Sequence, residues 1–140
     1  MKRTVVKVSN ENAYEFMLFG IVCQLPDFRL ARELNLHLNI QFKRMDDYNV
    51  FNNKRMEERL FAFFEYAHPE GERYHLISNK SEKGLLIPEQ SQIDYLFIIH
   101  PATLQMDENE VLAEIKQIPA ILGAYRLFPE KLKSKENLIF

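Results

Sequence analysis

Apolar and polar residues change rhythm several times along this chain, and each rhythm predicts an element. Residues 14–22 are apolar on both strand faces apart from Glu15, which predicts a strand. Pro26 sits where the first turn of a helix accepts proline, and Asp27 complements the positive helix end. Phe28, Leu30, Ala31 and Leu34 then form one stripe of a short helix to about Asn35. Leu36, Leu38, Ile40 and Phe42 alternate with His37, Asn39, Gln41 and Lys43, the period-2 pattern of a strand with one wet face. Residues 45–59 are polar and read as a loop with a short helix. Residues 60–66 read as an aromatic strand, His68 to Gly71 as a turn, and residues 73–78 as the returning hairpin partner.

The densest run of special residues is 80–100. Gly84 suits a turn, Pro88 fixes its own φ, and Ile87 before it is pushed towards an extended conformation. Leu85, Leu86 and Ile87 therefore run extended to a polar corner at residues 89–92. Ile93 to Ile99 follows with both faces largely apolar, which predicts a central strand covered on both sides. Asp107 with Glu110 three residues on has the form of a capping box, and Val111, Leu112, Ile115 and Ile118 make the core stripe of the helix that Pro119 ends. Residues 121–128 read as the last strand, closed by Pro129.

The predicted order is β-α-β, a hairpin, then β-α-β. It implies one α+β domain over residues 1–140: a two-layer sandwich of a roughly six-stranded mixed sheet with two helices on one face. Residues 1–13 read as a flexible arm or edge strand. Residues 129–140 read as a tail whose apolar end, Leu138 to Phe140, docks on the domain or on a partner.

Ile87-Pro88-Glu89, a gap of three, then Ile93-Asp94-Tyr95 resembles the signature of the IPExxxVDY family of small bacterial proteins, with Ile93 in place of Val. Residues 76–86 and 132–140 are also similar to that family, and the resemblance runs from about Tyr14 onward. It implies a bacterial, cytoplasmic protein and carries no activity with it. The second β-α-β unit resembles the ferredoxin-like sandwich used by ACT and related regulatory domains, so the fold is expected to be distantly ferredoxin-like.

Composition narrows the function classes. The chain has 140 residues, 46% of them apolar, enough for a real core. Its net charge of −2 demands neither nucleic acid nor an anionic membrane. One cysteine, Cys23, forms no internal disulfide and fits a reducing compartment. No apolar run is long enough for a transmembrane helix, and the start does not read as a signal peptide.

Candidate chemistry gathers at the 79–95 stretch. Glu89 and Asp94 flank the proline corner; they read first as structural ties and second as an acid–base pair in a cleft. Asn79, Lys80, Ser81 and Gly84 form a polar turn that reads as a hairpin connection, with phosphate cradling as the alternative. Together with Pro88 and Tyr95 they make up the candidate binding or motif residues. The four histidines, His37, His68, His75 and His100, lack metal-motif spacing, although His75 and His100 can lie on neighbouring strands. Cys23 reads as a core residue before a nucleophile. Lys131, Lys133 and Lys135, with Lys2, Arg3 and Lys7, read as solvated surface before an RNA site. No catalytic residue, metal or cofactor is therefore assigned. The expected function is a non-catalytic binding or interaction module that self-associates or engages a protein partner. The alternatives are a small-molecule sensor or enzyme with a cleft near Glu89 and Asp94, and an RNA-associated factor.

Overall fold

The computed structural model describes residues 15–52, 54–102 and 106–140. The predicted arm at 1–13, with Lys2, Arg3 and Lys7, lies outside them. In chain order the elements are β1 (Met17–Cys23), α1 (Asp27–Leu38), β2 (Lys43–Arg44), β3 (Tyr48–Asn52), β4 (Glu57–Phe61), β5 (Phe63–Ala67), β6 (Arg73–Ser78), β7 (Lys80–Ser81), β8 (Gly84–Leu85), β9 (Tyr95–His100), α2 (Glu108–Lys116) and β10 (Ile121–Leu127). Single 3₁₀ turns occupy Pro88–Gln90, Pro129–Lys131 and Lys135–Leu138.

The main sheet has six strands in the order β10-β1-β9-β6-β5-β2. Its core, β1-α1-β6-β9-α2-β10, is a β-α-β-β-α-β arrangement, the ferredoxin-like pattern. Both helices pack on one face, where Leu30, Ala31, Leu34, Ile115 and Ile118 meet Phe19, Ile21, Leu76 and Phe97. The class is α+β, as the pattern predicts. The sheet is not mixed: every pair is antiparallel, because β1 and β6 run the same way but β9 lies between them. Among the described residues the opposite face carries no α-helix. There Leu18, Ile77, Leu96 and Ile98 are covered by Phe61, by Leu86, Ile87 and Ile93, and by Leu132 and Leu138 of the tail. Tyr95 to Ile99 is buried throughout, so β9 is the central strand expected.

Three local expectations are corrected. Residues 36–38 continue α1 instead of starting a strand. Leu38 falls one turn beyond the buried Leu34 and packs on the same core, while Leu36 faces solvent. The helix stops at Asn39, whose φ of 55° is the left-handed conformation that asparagine tolerates. Residues 45–59 are not simply a loop: most of their length forms the β3–β4 hairpin, which buries Phe61 and half-buries Tyr48 and Val50 against the tail side. The single strand expected at 60–66 breaks at Ala62, so that β4 pairs with β3 and β5 pairs with β6. No helix among the described residues is long and apolar enough to cross a membrane.

Candidate functional site

The motif residues meet around Asn79, which is fully buried. Its side-chain amide donates to the carbonyls of Gln90 and Ile93, both at 2.9 Å, and its side-chain oxygen accepts from Ile87 N–H at 2.7 Å. Its backbone N–H donates to Asp94 O, and its own carbonyl accepts from Leu86 N–H. A buried amide with every group engaged is a structural device, since each unmet group would cost about 1–3 kcal/mol. Asn79 thereby holds the extended 85–87 run, the Pro88–Gln90 turn and the entry to β9 in one piece. Gly20 makes room for Ile93: a Cβ there would lie 2.7 Å from the Ile93 side chain.

Asp94 joins three segments. One carboxylate oxygen accepts from Cys23 N–H at 2.9 Å, and the other accepts from Lys80 Nζ at 2.6 Å. Lys80 is half exposed, so that ion pair contributes little beyond orientation. Tyr95 O–H donates to Leu25 O at 2.6 Å, and burial pushes its pKa up to about 12. Burial likewise raises the Cys23 thiol, which disfavours the thiolate a nucleophile needs. Ser81 Oγ donates to Gly84 O at 2.8 Å across the turn, where Gly84 has φ 139°. The polar 79–84 turn is therefore closed by its own bonds.

Glu89 faces away from this group and holds the tail. It accepts from Ser134 N–H at 2.7 Å and from Ser134 Oγ at 2.9 Å. Partial burial raises its pKa, and the bonds from Ser134 and Lys133 outweigh that, so the carboxyl lies below its ordinary value. Asn137 adds a bond to Leu86 O at 2.9 Å. The two motif carboxylates thus have separate tasks and no partner in common. Glu89→Gln leaves one acceptor oxygen and removes the charge; we expect roughly 0.5–1.5 kcal/mol less stability, read as a lower thermal midpoint. An unchanged midpoint would show that this tie does not hold the tail.

His75 and His100 do meet, on neighbouring strands β6 and β9, with ring centroids 5.5 Å apart. His75 Nε2 lies 2.9 Å from Glu65 Oε2, and its ring stacks on Phe63 and packs against Phe140. His75 Nδ1 and His100 Nε2 are buried without a partner among the described residues. Burial lowers both pKa values, that of His100 to about 4, with the neighbouring His75 charge as its second cause. Among the described residues no three His, Cys, Asp or Glu side chains converge as metal ligands.

An open cleft of about 870 Å³ lies between the β3–β4 hairpin, the 80–83 turn and the start of α1, lined by Asp27, Arg44, Glu58, Leu60, Lys80 and Tyr95 among others. Of its charges, Arg44 pairs with Asp47, Lys80 pairs with Asp94, and Glu58 accepts from Asn49. Of the tail lysines, Lys131 lies over the Phe128 ring at 4.9 Å.

The feature that sequence reasoning missed is the contrast between the two sheet edges. β2 is two residues long and both are basic, a guarded edge. β10 is seven residues long and Arg126 is its only charge, already paired with Glu108 at 2.7 Å. Ile21 O accepts from Asp94 N–H, so Met17, Phe19 and Ile21 turn their backbone groups to β9, and Leu18, Gly20 and Val22 turn theirs to β10. Their partners Leu127, Tyr125 and Gly123 bond inward, and Ala124 and Arg126 present N–H and C=O to an edge that pairs with no strand among the described residues. Leu122, the extra residue of a bulge, is 67% exposed, Tyr125 is 53% exposed, and Phe128 is exposed beside them. The alternation of residues 121–128 marks a strand; only the strand order shows that it is an edge. No protein-family model matches this chain, and no curated protein matches it either.

Proposed function

We propose that this protein is a non-catalytic, cytoplasmic interaction module that engages its partner by strand addition along β10. The observation that carries the reading is the pairing of outward backbone groups at Ala124 and Arg126 with exposed apolar side chains at Leu122, Tyr125 and Phe128. An added strand would satisfy the backbone and cover the side chains together. The motif residues support the reading indirectly. Asn79, Ser81, Glu89, Asp94 and Tyr95 are spent on internal bonds, so the cleft reading has less to work with. The single buried cysteine fits a reducing cytosol.

Replacing Tyr125 with the photo-crosslinking analogue p-benzoylphenylalanine, in cells, tests the reading. We expect a discrete covalent adduct whose cross-linked peptide contains residues 121–128, and no such adduct when the analogue replaces the exposed Phe28 on α1. The absence of any adduct at position 125 would reject strand addition.

A further inference from the structure

Resting on the strand-addition reading, we infer that the strand added to β10 is β10 of a second copy, antiparallel, with the two-fold axis at Tyr125. The edge is self-complementary in this register. Outward-facing residues must oppose outward-facing residues for an antiparallel ladder to form. With the axis at Tyr125, Ala124 of each copy opposes Arg126 of the other, and each such pair exchanges both of its backbone hydrogen bonds.

The side chains agree with the backbone. The two Tyr125 rings meet across the axis as a non-hydrogen-bonded pair, the closer of the two antiparallel pair types. Leu122 falls opposite Phe128 of the second copy, so the exposed apolar residues at the two ends of the edge cover one another. Moving the axis to Arg126 would set the two guanidinium groups face to face, which like charges oppose. Moving it to Ala124 would set Leu122 against Arg126 and leave each Phe128 beyond the paired stretch. The register at Tyr125 is the one that keeps the two guanidinium groups apart and matches the exposed apolar residues at the two ends of the edge with each other. The result is a continuous sheet through both copies, an isologous two-fold assembly. Its outermost strand on each side is the short basic β2, which stops further growth.

Purified full-length protein tests the inference in two ways. Sedimentation equilibrium is expected to give the mass of two chains, and Tyr125→Lys, which brings two ammonium groups together at the axis, is expected to give one. Tyr125→Cys is expected to form a covalent dimer under mild oxidation, because a non-hydrogen-bonded antiparallel pair has its Cα atoms about 4.5 Å apart, within disulfide range. Leu122→Cys is expected to stay unlinked, since its counterpart lies about 20 Å along the ladder. The native Cys23 is buried and does not compete. A monomer at all concentrations, or a dimer that links through Leu122→Cys and not Tyr125→Cys, would overturn self-pairing. If purified protein is monomeric yet the crosslinker at position 125 captures a different protein in cells, self-pairing fails and strand addition stands. If neither experiment shows contact at position 125, both fail.

Discussion

Asn79→Ala is expected to cost about 3–5 kcal/mol and to lower the thermal midpoint by roughly 10–15 °C. The substitution removes one acceptor and two donors at once. Ile87 N–H loses its partner inside the tail-side core and so does the Ile93 carbonyl, while the Gln90 carbonyl keeps the bond from Ile93 N–H. Water can reach Gln90, which is half buried, more readily than Ile93, which is fully buried. The effect should spread beyond the site. Leu86, Ile87 and Ile93 cover Leu96 and Ile98, and they carry Glu89, which holds Ser134. A loosened corner therefore weakens the tail as well. Ser78→Ala, one residue away, is the control: its hydroxyl serves only the local turn, and its removal should cost less than about 1 kcal/mol. Equilibrium denaturation of the three proteins measures the difference. A loss below about 1 kcal/mol for Asn79→Ala would mean that the corner holds itself by packing alone.

The parts of this fold that were legible in the sequence are those with local causes. β9 was readable because both its faces are apolar, and α2 because Asp107 caps it by accepting from Asn109 N–H and Pro119 stops it. The region from 36 to 62 was not readable, for identifiable reasons. Leu36 to Phe42 alternates, yet the first part belongs to a helix held by Leu34 and Leu38 and closed by an asparagine. The β3–β4 hairpin has neither glycine nor proline at its tip, and Met56 supplies the positive φ of 51° that a glycine would have advertised. The same division applies to the site. Pro88, Glu89 and Asp94 stood out as a corner, and structural ties were the first reading of both carboxylates. Their partners did not stand out: Ser134 lies 45 positions from Glu89, and Cys23 lies 71 from Asp94. Such pairings depend on strand order, which also decides that β10 is an edge and that His75 meets His100.

The histidine pair makes the second large prediction, a steep loss of stability in mild acid. In the folded protein His100 has a pKa of about 4, pushed down first by burial and then by the charges of His75 and Arg73. In the unfolded chain it titrates near its ordinary value of 6.5. Between those values the unfolded state binds a proton that the folded state does not, so stability falls as pH falls from about 6.5 to about 4 and levels off below. The shift corresponds to roughly 3 kcal/mol across that window. His75 acts in the same direction, since burial outweighs the support its proton would draw from Glu65. The groups that face the pair are Glu65 on β5, Arg73 on β6, and the rings of Phe16, Phe63 and Phe140. Among the described residues that face the pair, Glu65 is the one carboxylate, and its hydrogen bond goes to His75 and not to His100. Denaturation at several pH values for the native protein and for His100→Gln isolates the effect. The variant should be less stable at neutral pH for lack of ring packing, yet should lose about 3 kcal/mol less on going from pH 6.5 to 4. Parallel pH profiles for the two proteins would mean that His100 accepts its proton in the folded state as readily as in water, and that water reaches the ring nitrogens that the structure shows buried.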